Sequence, residues 1–392
     1  HLETLNIVSY TGDIEAFAMY RTPITSFNIH SSTKKIGAYA FSATLLSDVI
    51  LPSTVEEVMN FAYSKCQYLR TFYIGKSCQM FSPAVVYQCP IQSLSVSDSH
   101  LSMKIEEGLL YDDKDHALIY CPPDMEIKTF HCPETLEKIS AYAFYQQKHL
   151  EYFAAASNLV SVDDFAFAEA KNLVNVDLGN HSLWLGKKVF DQCPRLESLH
   201  IPHVNNKDGY HFKDLFSSEM FSGSYAVPQH FEDKNMTYYL PTTLKSLHLN
   251  GFSLYEYMLM NWTHLLDLTC HDAYQYLPKG LCKNCESLSH IELPRMLTSI
   301  DDEVFYGTAL KGHFDLSSYP IKTIGHYALS HMKYITGISL PDTLLEIKDF
   351  VFSSDILLDE IKLPDNIESV GQSIVAGCEN LKHMDIPYLG SH

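Results

Sequence analysis

The sequence predicts a repeat solenoid, and three observations predict it. The first is a phrase that returns about every 23 residues, a period typical of stacked repeats: an aliphatic residue, a small residue with an aromatic, then Leu-x-x-Val-x-Leu-Pro. Ile139, Val162 and Leu185 open consecutive copies, followed at constant offsets by Ala143, Ala166 and Val189, by Phe144, Phe167 and Phe190, and by Leu150, Leu173 and Leu196. The second is period-two alternation inside each copy, as in Val176-Asp177-Leu178, the mark of a short half-buried strand. The third is Pro at the strand end, at Pro52, Pro202, Pro294, Pro341, Pro364 and Pro387, where a missing N–H stops ladder pairing and turns the chain. Stacked units of this kind share one continuous core, so function is expected on the faces.

Each copy of the repeat is expected to contribute one strand. Their expected centres run Leu5, Phe27, Val49, Phe72, Leu94, Phe130, Phe153, Val176, Leu199, Leu247, Leu266, Ile291, Phe314, Ile338, Ile361 and Met384. After each strand the chain returns along a convex leg with an apolar pair such as Leu344 and Ile347, then closes on the small residue and the aromatic. Ala40, Ala143, Ala166 and Ala328 allow close approach of neighbouring coils, and Phe41, Phe144, Phe167, Phe190, Phe305 and Phe352 are expected to stack in the interior. Cys66, Cys193, Cys285 and Cys378 share one column three residues after the aromatic position, so packing explains them as buried thiols. Cys282-x-x-Cys285 has zinc or redox spacing, but the repeat register places its two members in the aromatic and Cys columns.

Two stretches break the period. The first, about 97–128, reads as a β-hairpin around the acidic turn Asp112-Asp113-Lys114-Asp115, without the Gly and terminal Glu that a calcium loop of the EF-hand type requires. The second, about 203–243, is an irregular insertion with room for a degenerate coil around Tyr225-Ala226-Val227-Pro228. Residues 1–392 are otherwise read as a single solenoid.

Ile36-Gly37-Ala38-Tyr39-Ala40-Phe41 resembles the opening of the BspA-like bacterial leucine-rich repeats, and Ile324-Gly325-His326-Tyr327-Ala328-Leu329 and Val370-Gly371-Gln372-Ser373-Ile374-Val375 match it less fully. The resemblance covers most of the chain outside the two interruptions. It implies a right-handed α/β-type superhelix with a parallel β-sheet on the concave face and short irregular or helical segments on the convex face. It also implies a secreted or cell-surface adhesion role.

In such a repeat the residue between the last two strand aliphatics points out of the concave sheet. That column includes Tyr73, His131, Asp177, His200 and His248, with Tyr152 two positions earlier in its own strand. These are the candidate binding residues, since exposed aromatic, His and Asp side chains suit a macromolecular partner. Asp177 and His200 stand in successive strand segments, but no nucleophile elbow, phosphate loop or His-Glu-x-x-His motif accompanies them. No enzyme, cofactor or metal is therefore expected.

The balance of 28 Lys+Arg against 47 Asp+Glu gives a net charge of −19, which repels nucleic acid and anionic lipid. The expected partner is a host or extracellular macromolecule, protein or glycan, bound by a monomer at the cell surface or outside it. The chain reads as trimmed, with signal and anchor expected outside these residues. Three Asn-x-Ser/Thr sequons begin at Asn180, Asn235 and Asn261, a pattern too common by chance to decide a source. Two other functions remain open at this stage: a rigid spacer for a terminal domain, and carbohydrate or metal binding at a concave cluster between His131 and His248.

Overall fold

The computed structural model describes residues 12–79, 81–205, 212–216, 226–231, 236–252, 254–271 and 274–387, with backbone alone over 226–231 and 236–239. They fall into two compact units, His1–Cys193 with Asp214–Phe216, and Pro194–Lys213 with Ser217–His392.

In the first unit the strands form parallel ladders. Asp48–Ile50, Thr71–Ile74 and Ser93–Val96 pair with Val49, Phe72 and Leu94 in register, and Thr129–His131, Tyr152–Ala154 and Asn175–Asp177 pair with Phe130, Phe153 and Val176 in register. Those central residues are buried and their strand neighbours are mostly more exposed, which is the period-two pattern realised. The return leg is more regular than irregular or helical segments: Ala117–Tyr120, Lys138–Ile139, Ser161–Val162 and Trp184–Leu185 form a second parallel ladder of short strands. Onto its edge the first interruption adds Leu109–Asp112 and Met103–Glu106, both antiparallel, so the expected hairpin is built into this sheet.

The second unit repeats the plan. Ser198–His200, Ser246–Leu249, Asp267–Cys270 and His290–Glu292 form one parallel set, and Lys311–Asp315, Tyr334–Ser339, Glu360–Lys362 and His383–Asp385 another. Its return ladder runs Tyr276–Leu277, Ser299–Ile300, Thr323–Ile324, Glu346–Ile347 and Ser369–Val370. Ala226–Phe231 pairs antiparallel with Met236–Pro241, so this stretch is a hairpin and not a degenerate coil. Among the described residues Phe27 lies outside any strand, and Leu5 lies outside the described residues. The strand expected around Leu266 is centred on Leu268, which pairs with Leu247. The repeat phrase Leu-x-x-Val-x-Leu fits from Leu265, and this register buries Leu265, Leu268 and Cys270 while Leu266, which precedes the strand, stays 38% exposed.

The interior aromatics stack as expected. Phe144 and Phe167 lie 5.1 Å apart at 4°, and Phe41 and Tyr63 5.0 Å apart at 7°. Between strand and return leg each coil turns with alternate N–H groups donating to the next coil: Phe165 to Lys187, Phe167 to Val189 and Glu169 to Asp191. This geometry places Phe165 and Glu169 at φ 58° and 57°, Tyr327 and His331 at 55° and 60°, and Phe350 and Ser354 at 58° and 62°. Left-handed backbone costs a non-glycine residue about 1–2 kcal/mol. Ladder hydrogen bonds offset it, as does a second aromatic stack on the turn surface, where Tyr142 and Phe165 lie 5.0 Å apart at 5° and Tyr327 and Phe350 4.8 Å apart at 3°.

Candidate binding surface

Parallel in-register pairing turns the outward strand residues into columns. In the first unit His131, Ala154 and Asp177 form one column, and Thr129, Tyr152 and Asn175 the column beside it. His131 and Asp177 are exposed and Tyr152 is 45% exposed, so three of the expected residues share one small sheet face. Asp177 is held in place locally, its Oδ1 accepting the Gly179 N–H at 2.9 Å. Tyr73 belongs to the other ladder of this unit, in a column with Ile50 and Ser95, and is half-buried.

His200 and His248 lie in the second unit as direct strand partners, half-buried, with ring centroids 4.1 Å apart. Their column continues through Thr269 to Glu292, because the shift of the third strand puts Thr269 where Asp267 was expected. Asp267 instead stands beside His290, whose Nδ1 is 3.7 Å from its Oδ1. His271 lies near the pair, 6.5 Å from His248 between ring centroids, and sequence reasoning missed it because it follows the strand rather than sitting in it.

Further along this unit the concave strands enclose an open groove of about 380 Å³ lined by His313, Ser339, Glu360, Lys362, His383 and Asp385. The imidazole of His313 leans over Gly337, where a Cβ would lie 2.7 Å from its Nδ1, and its Nε2 hydrogen-bonds Ser339 Oγ at 2.7 Å. Bonds from the Ser317 hydroxyl and N–H, and the nearby His313, hold the Asp315 carboxyl below its ordinary pKa. These groups are set for hydrogen bonding and charge pairing over an open surface.

The other candidate chemistries resolve into structure. In the acidic hairpin turn Asp112 Oδ1 accepts the Lys114 N–H at 2.9 Å, and Asp113 pairs with Lys104 at 2.9 Å. None of the ten cysteines is in a disulfide, and nine are buried, Cys378 being half-buried. Each column thiol donates to the carbonyl of an earlier coil: Cys66 to Phe41 at 3.1 Å, Cys193 to Phe167 at 3.1 Å, Cys285 to Leu259 at 3.1 Å and Cys378 to Phe352 at 3.0 Å. Cys89 makes the same bond to Tyr63 at 2.9 Å and joins the column, although it stands four residues after Val85 rather than three. Among the described residues no three His, Cys, Asp or Glu side chains are grouped to hold a metal ion, and no helix is long and apolar enough to cross a membrane.

A sequence profile of the BspA type leucine-rich repeat region matches residues 1–111, 120–225, 234–318 and 312–390. Among solved structures, a leucine-rich repeat protein from Bacteroides ovatus aligns over 95% of this chain and 86% of its own, at 18% identity and a TM-score of 0.45. The pneumococcal vaccine antigen PcpA aligns over 92% of this chain and 72% of its own, at 14% identity and a TM-score of 0.39. A leucine-rich cell surface protein from Faecalibacterium prausnitzii aligns over 92% and 84%, at 17% identity and a TM-score of 0.30. No curated protein matches the chain significantly.

Proposed function

Because the chain belongs to the BspA-type leucine-rich repeat family, we propose that it is a non-enzymatic, monomeric cell-surface or secreted protein whose concave strand face binds a host or extracellular macromolecule. The observation that carries this reading is the pair of columns holding His131, Tyr152 and Asp177 on one rigid parallel sheet. Rigid strands fix the backbone in advance, so that side-chain ordering alone is left as a conformational cost on binding. The exposed Tyr ring supplies apolar contact area, and the flanking His and Asp supply polar contacts around it. A protein surface is the primary partner in this reading and a glycan the second. An open sheet excludes little water, which disfavours catalysis.

The test is binding of the purified protein to immobilised extracellular-matrix proteins, mucin and host-cell surfaces. A variant carrying His131→Ala, Tyr152→Ala and Asp177→Ala is compared with one altered at Tyr73, His200 and His248. Binding that is lost in the first variant, with unchanged melting, supports the reading. Equal binding by the first variant and the unaltered chain rules this face out, and absence of binding on every surface rules out the adhesive role.

A further inference from the structure

Cys66 and Cys89 hold the same column position in consecutive coils. Tyr63 N–H donates to Val85 O at 3.0 Å and Lys65 N–H to Tyr87 O at 2.8 Å, which stacks one coil directly on the next. Backbones joined this way lie about 4.8 Å apart; Cys89 stands one residue beyond the position that this 22-residue offset sets beside Cys66, and the two thiols are in contact. The column is otherwise interrupted: Cys193 follows Ala170, Cys285 lies between Trp262 and Thr308, and Cys378 follows Asp355. Among the described residues this is the one place where two thiols of the column are stacked in adjacent coils.

The two sulfurs also differ chemically. Contact with the Cys89 thiol, and then with the Thr44 hydroxyl 3.3 Å away, holds the Cys66 thiol below its usual pKa. Burial, and then the same contact, pushes the Cys89 thiol up. Both thiols donate to a carbonyl of an earlier coil, Cys66 to Phe41 and Cys89 to Tyr63, and the one whose proton is held less tightly, Cys66, is the one suited to attack while Cys89 resolves.

We propose that Cys66 and Cys89 form a latent cross-link, which hydrogen peroxide converts to a disulfide joining two consecutive coils. The Cys66 thiolate attacks one peroxide oxygen and the O–O bond breaks. The departing hydroxide takes up the proton that the thiol released and leaves as water, with a sulfenic acid at Cys66. The Cys89 sulfur then attacks the Cys66 sulfur and the S–O bond breaks. The leaving oxygen departs as water with the Cys89 proton. Two thiols lose two electrons in all, and one peroxide is reduced to two waters. Both sulfurs are buried, so a small neutral oxidant suits the site better than a bulky thiol reagent.

The experiment uses the full chain. It is exposed to hydrogen peroxide, quenched, denatured and alkylated, its thiols are counted, and the linked peptides are identified by mass. The expected result is two thiols fewer than the ten the chain carries, with a cross-linked peptide pair containing Cys66 and Cys89. Cys89→Ser is expected to abolish the link and to leave a sulfenic acid at Cys66 that dimedone traps, while Cys193→Ser keeps the link. Survival of all ten thiols under peroxide that oxidises the methionines overturns the proposal, as does mapping of the lost thiols to another pair such as Cys282 and Cys285.

Discussion

The thiol of Cys193 donates a hydrogen bond to the carbonyl oxygen of Phe167, 3.1 Å away, and both residues are fully buried. The same carbonyl accepts the Ala170 N–H at 3.1 Å, so both of its lone pairs are used. Burial pushes the Cys193 thiol up from its ordinary pKa, which keeps the proton on sulfur and the bond intact at neutral pH. Replacing Cys193 by Ala removes one of two donors and leaves a small void, at an expected cost of about 1 kcal/mol. Ser retains a donor and is expected to cost less. Urea unfolding followed by tryptophan-independent far-UV signal gives the order; an Ala variant as stable as the parent would show that the sulfur contributes packing alone.

Phe167 itself lies in the middle of the interior stack, 5.1 Å from Phe144, 5.8 Å from Phe190 and 4.7 Å edge-on to Phe153. Truncation to Ala removes the ring from three aromatic neighbours at once. The expected loss is about 3–5 kcal/mol, the usual range for deleting a buried phenyl ring. Calorimetry on the two proteins measures it, and a loss below about 1 kcal/mol would mean that neighbouring coils collapse into the space.

Gly325 shows why the aliphatic-Gly opening recurs. A Cβ placed there would lie 2.5 Å from the Asp302 backbone nitrogen of the preceding coil. Asp302 in turn accepts the His326 N–H through Oδ1 at 2.8 Å, and Asp164 with Lys187 and Asp349 with Gln372 repeat this bond. Because backbone blocks the space, Gly325→Ala is expected to destabilise the second unit by about 1–3 kcal/mol, the cost of overpacking. A shift of the urea midpoint reports it. An unchanged midpoint would mean that the coils separate at little cost.

Features that packing repeats were legible in the sequence, and features that only geometry repeats were not. Val176, Phe153 and Phe167 must be apolar at fixed spacing because each faces one interior, and their columns reveal strands and core. The Asp164, Asp302 and Asp349 bonds leave a fainter trace, since any short acceptor suffices for a single N–H. Phe165 and Glu169 adopt left-handed backbone without glycine, so no residue type marks the turn. Cys89 was hidden by one extra residue in its coil. The concave column was readable by period two, but exposure to solvent imposes no pattern on His131 or Tyr152, and choosing among such residues needs a partner.

Asp355 occupies the Cys column, wholly buried, with Oδ1 accepting the Met332 N–H at 2.8 Å and Oδ2 without a hydrogen-bond partner. Burial raises its pKa from 3.8 to about 9, so the folded chain holds a proton that the unfolded chain has released. The sign follows: stability from this group is fully present below the unfolded pKa and falls as pH rises toward about 9, above which it is constant. Each pH unit in that window is worth about 1.4 kcal/mol. Asp355→Asn keeps the acceptor for Met332 and does not titrate. The expected outcome is an unfolding free energy that declines between pH 5 and 8 in the parent more steeply than in the Asn variant. The difference between the two at pH 8 should exceed that at pH 5 by several kcal/mol, since about 1.4 kcal/mol accrues per unit. Parallel pH profiles for the two proteins would mean that the Asp355 carboxylate is solvated or paired when ionised.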